Sequence, residues 1–275
     1  MIRVAKAHAY GNDFLFVPAE QAEHLDPGAL AARLCARHDG IGADGLILYT
    51  VAPDATARMT LFNADGSPSE LSGNGLRCLA ALVLHERTGG GEAPTVVRVD
   101  TDAGWKTLTL AAVSGSRYTF RAAMGEPTAV TEEDIEAGGE RLRVTTLGMG
   151  NPQCVQLVSA LPDDERFHRM GPALSTHARF TAGTNVEFAV VEAPDRVRIR
   201  IWERGVGPTT ASGTGACAAA VAAMAHGGAA RDVQVLSPGG SQRVEWRDDG
   251  IYLTGWAEVV FEGYWIPQAD LPPRR

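Results

Sequence analysis

One pattern occurs twice in this chain and restricts its fold more than any other. Ser72-Gly73-Asn74-Gly75 leads into the apolar run Leu76 to Glu86, and Ser212-Gly213-Thr214-Gly215 leads into Ala216 to His226. A serine suited to the N-cap, followed by helix formers such as Ala and Leu, predicts a helix at each place, and Gly89-Gly90 and Gly227-Gly228 supply the expected C-terminal stops. Both runs are apolar on nearly every face, Ala216 to Ala225 most of all, so each helix belongs inside a domain rather than on its surface. The chain therefore carries an internal repeat. With 275 residues, 45% of them apolar and 21% charged, it is long enough to bury the cores of two medium domains.

The rest of the chain reads mainly as strands. Met59 to Asn63, Val96 to Asp100, Thr107 to Val113, Arg117 to Ala122, Asn185 to Val191, Val197 to Trp202, Val233 to Leu236 and Gln242 to Trp246 are short runs rich in branched residues, bounded by turn signals such as Asp65-Gly66 and Ala103-Gly104. The formal charge of −8 and the lack of a Lys/Arg cluster argue against nucleic acid or an anionic membrane as partner and leave a small solute as the expected ligand. No stretch of about 18 uncharged apolar residues is present. The first residues include Asn12, Asp13 and Pro18 rather than a secretory core, which reads as a soluble, cytoplasmic protein. Cys35, Cys78, Cys154 and Cys217 show neither CxxC pairing nor His-rich spacing, so neither a metal site nor a disulfide framework is expected and the thiols read as buried and free.

The repeated S-G-x-G also has a chemical reading. Unpaired N–H groups at a helix N-terminus point outward, the macrodipole favours negative charge there, and glycines let a ligand approach the backbone. Two such termini facing one cleft would hold one carboxylate jointly. For an amino acid that placement also stabilises the charge that develops when the α-proton leaves, which is electrostatic catalysis without a cofactor.

Other motifs then form a recognisable series: His8-Ala9-Tyr10-Gly11-Asn12-Asp13-Phe14, Gly40-Ile41-Gly42-Ala43-Asp44-Gly45, Asn63-Ala64-Asp65-Gly66-Ser67, Gly73-Asn74-Gly75, Met149-Gly150-Asn151-Pro152, Glu203-Arg204-Gly205-Val206-Gly207 and Phe261-Glu262-Gly263. Together, in this order and over almost the whole chain, they resemble the diaminopimelate epimerase family. The resemblance implies an α/β fold of two pseudo-symmetric domains, each a curved, mostly antiparallel sheet wrapped around a central helix. It implies residues 1–117 with a returning strand over 264–275 as one half and residues 118–263 as the other. By the same resemblance Asn12, Asn63, Asn151, Asn185, Glu203 and Arg204 hold the substrate by their side chains, and the amides of Gly73, Asn74, Gly213 and Thr214 form a carboxylate cradle. Arg204 suits a carboxylate and Glu203 an ammonium. The activity implied is that of a cofactor-independent isomerase acting at the α-carbon of diaminopimelate or a related amino acid in lysine biosynthesis, and family members pair as homodimers.

The family removes the α-proton with one thiolate and returns a proton from an opposed thiol, and its two cysteines fall at Ser72 and Ser212, the catalytic positions. A hydroxyl is a far weaker acid than a thiol, whose reference pKa is about 8.5, so ordinary two-thiol catalysis is expected to be impaired. Gln153 stands where the family carries a histidine, and Pro208 where it carries a glutamate. Cys78 and Cys217 lie too far along their helices to substitute, and His8 is the nearest candidate base for a serine. Two other readings stay open: a non-catalytic amino-acid-binding paralogue, and a family member with a changed reaction such as dehydration or a double-bond shift.

Overall fold

The architecture comes from a computed structural model that describes residues 1–69, 72–87, 95–102 and 104–267. The chain divides into two units, Met1–Ala122 together with the chain from Gly255 onward, and Ala123–Thr254.

The first unit contains β1 (Ile2–Ala9), β2 (Asn12–Pro18), α1 (Pro27–Cys35), β3 (Gly45–Val51), β4 (Thr56–Asn63), β5 (Pro68–Ser69), α2 (Gly73–Arg87), β6 (Val96–Asp100), β7 (Lys106–Ser114) and β8 (Arg117–Gly125), the last crossing the boundary. Tyr10 and Gly11 join β1 to β2 in a two-residue turn with φ of 58° and 87°, the primed geometry that matches strand twist. Tyr10 tolerates its positive φ because its ring is packed on Trp256, 4.5 Å between centroids, and its hydroxyl accepts the Trp256 N–H at 3.1 Å. β2 runs parallel to β3 and β4 parallel to β6, while the other neighbours are antiparallel. Between Asn74 and Leu84 every residue of α2 is buried. Helix α1 instead packs through Leu30, Ala31 and Leu34 with Val4, Leu15, Val17 and Leu46.

The second unit repeats this plan with β9 (Thr128–Ala137), β10 (Glu140–Gly148), β11 (Pro152–Leu157), α3 (Asp164–Ser175), β12 (Asn185–Ala193), β13 (Arg196–Glu203), β14 (Gly207–Thr209), α4 (Gly213–His226), β15 (Asp232–Ser237), β16 (Gly240–Arg247) and the start of β17 (Gly250–Trp265). Here β11 is parallel to β12 and β13 to β15. Helix α4 lies in a core with Val155, Ala189, Val197, Ile199, Val235, Val244 and Leu253. Complete burial of a valine- or leucine-sized side chain is worth about 1.5–3 kcal/mol, which is why an all-apolar helix is stable here and would not be on a surface.

Each unit is thus a mostly antiparallel sheet around one central helix, as the resemblance implied. The strand runs read from the sequence all lie within observed strands. Both repeated helices form, and Gly227 ends α4 by donating its N–H to the Ala223 carbonyl. The proposed stop at Gly89-Gly90 and the turn residue Ala103 lie outside the described residues. The sequence placed boundaries at 117/118 and 263/264, next to turn and motif signals. The units instead divide inside β8 and β17, because each of those strands is one continuous run that serves both units. Among the described residues no helix is long and apolar enough to cross a membrane.

Candidate active site

In each unit the same edge of the sheet arrives at the N-terminus of the buried helix. In the first unit that edge holds Asn12 at the start of β2, Gly45 at the start of β3 and Asn63 at the end of β4. The Asn12 amide donates to Asp44 at 2.7 Å and its oxygen accepts from Asn74 at 3.1 Å, while the Asn74 oxygen accepts from Arg77 at 2.5 Å. The buried Asp13 takes Lys6 at 2.8 Å and Arg37 at 3.0 Å. Burial pushes its carboxyl up, but the hydrogen bonds from Arg37 and Lys6 outweigh this and hold it below the usual carboxylate range. Asn63 is exposed and bonds Ser67 at 2.9 Å inside its own turn. Ser72 caps α2: its Oγ accepts the Gly75 N–H at 3.1 Å and its carbonyl the Leu76 N–H at 2.8 Å. His8 accepts the Gly11 N–H on Nδ1 at 3.3 Å and sits edge-on to Trp256.

In the second unit Ser212 is the extended N-cap of α4, and its Oγ accepts the Gly215 N–H at 3.2 Å. Its hydroxyl donates to the Glu203 carboxyl. Burial pushes Glu203 above the ordinary range, and that hydrogen bond partly offsets the rise. The resemblance gave Glu203 an ammonium to bind, and the structure adds a hydrogen bond from Ser212 to the same carboxyl. Asn185, largely buried, accepts the Arg204 N–H at 2.8 Å, and the exposed Arg204 guanidinium reaches the Ala182 carbonyl at 3.0 Å. Gln153 donates to Asn151 at 2.5 Å. The amides of Gly213 and Thr214 begin α4 without an i−4 carbonyl, as do those of Gly73 and Asn74 in α2, so each helix presents its positive end beside its serine.

Cross-strand register aligns the two edges. Gly45 pairs with Asn63 across β3 and β4, and β12 and β13 carry Asn185 and Glu203 at the matching ends. Phe14 pairs with Gly45 as Gln153 pairs with Asn185. Asn12 therefore corresponds to Asn151, Asn63 to Glu203, and Ile47 to Glu187. Glu187 was not singled out from the sequence, although it is the third residue of its strand just as Ile47 is, and superposing the repeats would have exposed the mismatch. It is completely buried, and neither carboxyl oxygen has a hydrogen-bond partner among the described residues. Burial first, and then the neighbouring Glu203 charge, push its carboxyl well above the ordinary value. A carboxyl raised in this way binds its proton in the folded state at pH values where the unfolded chain, with a carboxyl near 4.3, has lost it. Stability is therefore full below that value and falls as pH rises through the folded-state value.

The geometry gives each unit a serine at a helix terminus with the first-turn amides beside it, and gives one of them a carboxyl hydrogen-bonded to that serine. Such a set suits proton transfer at a carbon next to a carboxylate. Solved structures share the fold: a probable proline racemase from Agrobacterium radiobacter, with a TM-score of 0.72 and 16% identity over 98% of this chain and 94% of that one, and a predicted epimerase from Pseudomonas aeruginosa, with 0.73 and 17% over 98% and 100%. The architecture is that of the racemases and epimerases. The diaminopimelate epimerase family profile matches residues 4–130 and 145–260, and the diaminopimelate epimerase of Desulforudis audaxviator is 44% identical over 95% of this chain and 98% of its own length. The chain belongs to the diaminopimelate epimerase family.

Proposed function

We propose that this protein removes and returns the α-proton of an amino acid with two polar ends, diaminopimelate foremost, without a cofactor. The observation that carries the reading is the hydrogen-bonded pair Ser212–Glu203 at the α4 terminus. When the α-C–H bond breaks, its electron pair stays on carbon and spreads into the substrate carboxylate, whose charge the amides of Gly213 and Thr214 stabilise. The proton passes to Ser212 Oγ as the hydroxyl proton moves to Glu203, so that no free alkoxide is needed. Ser72, with Gly73 and Asn74 beside it, is the corresponding acid–base position of the first unit. Asn12, Asn63, Asn151, Asn185 and Arg204 are the substrate's polar contacts in this reading.

Incubation with diaminopimelate in deuterated water tests it: deuterium should appear at the α-carbon even where net epimerisation is slow. Absence of exchange, both here and in a variant with thiols at both serine positions, would refute the reading. Binding gives a separate check. Arg204→Ala should weaken diaminopimelate affinity by about 2–5 kcal/mol, because a substrate carboxylate loses a charge-assisted partner. Calorimetry measures this directly, and equal affinity in parent and variant would remove Arg204 from the site.

A further inference from the structure

The two units build the same floor beneath their helix termini from opposite materials. A Cβ placed on Gly75 would lie 2.9 Å from Ile47 Cδ1 and 3.5 Å from Phe14, whereas one placed on Gly215 would lie 2.6 Å from Glu187 Oε1. Ile47 and Glu187 occupy equivalent strand positions, as do Phe14 and Gln153. Under Ser72 the floor is apolar. Under Ser212 it carries a fully buried carboxyl with both oxygens unpartnered and a buried amide whose Oε1 is also unpartnered. Packing alone does not call for this, since isoleucine fills the same place in the first unit, and burying an unpaired polar group costs stability. An uncompensated cost at such a position belongs to function.

We propose that Glu187 is a positioning residue of the acid–base pair: a carboxylic acid, kept neutral beneath the first turn of α4, that confines the two-carboxyl cluster's single negative charge to Glu203, the group bonded to Ser212. This rests on the proton-transfer reading given above. The groups around Glu187 fit it. From β13 comes Glu203, the charge that acts on it; from α4 comes the Gly215 backbone, where an added Cβ would lie 2.6 Å from Glu187 Oε1. From β11 comes Cys154, whose own thiol burial pushes well up, so it adds no charge beside Glu187. Neither Glu187 oxygen takes a hydrogen bond from a cationic side chain among the described residues. Two nearby carboxyls in a site that excludes water do not both ionise readily, and the one bonded to a hydroxyl and less buried ionises first. Loss of the Glu187 proton would put a second negative charge under the substrate's α-carbon, where negative charge must develop, and would oppose the reaction.

The test has two parts. The first needs no activity: in protein carrying carbon-13 at glutamate carboxyls, the resonance that Glu187→Gln abolishes should keep the position of a protonated acid at neutral pH. A carboxylate position for that resonance would overturn the proposal whatever the enzyme does. The second is the pH profile of α-deuterium exchange in the parent, Glu187→Gln and Glu187→Ile, the last copying the first unit. The parent should lose rate at high pH, by about tenfold per unit once Glu187 ionises. Glu187→Gln should lack that alkaline limb while keeping the acid limb set by Glu203. Glu187→Ile, if folded, should lack it too. Identical alkaline limbs in parent and variants would also overturn the proposal. No exchange in any of the proteins would defeat the proton-transfer reading itself and leave the resonance to judge Glu187.

Discussion

Exchanging Ser72 and Ser212 together for cysteine will raise α-proton exchange and epimerisation of diaminopimelate by on the order of 10²–10⁴-fold, the range that a well-matched acid–base group contributes. Both positions are helix N-caps, where the first-turn amides and the helix dipole stabilise a thiolate. A thiol ionises near neutrality in such surroundings, and a hydroxyl does not. Each single exchange will recover little, since one face of the α-carbon must give up a proton and the other receive one. The measurement is chiral chromatography of diaminopimelate isomers alongside deuterium incorporation. A double variant that binds substrate and stays inert would place the defect at Gln153 or Pro208, the other departures from the family's motifs.

Gly40→Ala will destabilise the fold by about 3 kcal/mol or more, toward the upper end of overpacking effects. The carbonyls at the end of α1 are satisfied by the segment that follows it. Gly40 N–H reaches Ala36 at 3.0 Å, Ile41 and Gly42 both reach Leu34 at 2.9 and 3.0 Å, and Ala43 reaches Cys35 at 3.1 Å. A methyl group on Gly40 would stand 2.3 Å from the Arg33 oxygen and 2.7 Å from those of Leu34 and Ala36. All three are backbone atoms that no rotamer change can move. Separating the segment from α1 would also shift Asp44, which holds Asn12, so affinity should fall with stability. The denaturant midpoint decides it: a loss below about 1 kcal/mol would show that the backbone there yields more easily than close packing allows.

The parts of the fold that were legible in the sequence are those where local chemistry and tertiary packing agree. Ser212 followed by an alanine-rich run is a helix by capping, by propensity and by burial at once, and Val96 to Asp100 is a strand by its branched residues and alternating burial. Other elements were obscured. β9 carries Glu132, Glu133 and Asp134 in succession, whose charges hide the alternation because they pair with Arg143 and Arg179. α3 contains Gly171 and Pro172, two helix breakers. The glycine is there because a Cβ would lie 2.6 Å from the Trp202 indole, and the proline falls in the last turn, where it interrupts little. At the site, the serines and the strand-end asparagines came from motifs that local sequence displays. The Ser212–Glu203 bond and the buried Glu187 did not, because both depend on which strands lie side by side.

The two units also differ in how the chain supplies them. Residues Ala123–Thr254 form one uninterrupted stretch, whereas β1 draws its partner from the far end, Ile2 opposite Trp265 and His8 opposite Glu258. During synthesis from the N-terminus, the second unit has all its strands before the first has its last one. Until then β1 keeps one edge of backbone N–H and C=O groups open, and the pairing that closes it is the kind of long-range contact that forms slowly. The unit that leaves the ribosome first is therefore the one completed last, and the nascent protein passes through a stage in which a finished half waits on an unfinished one.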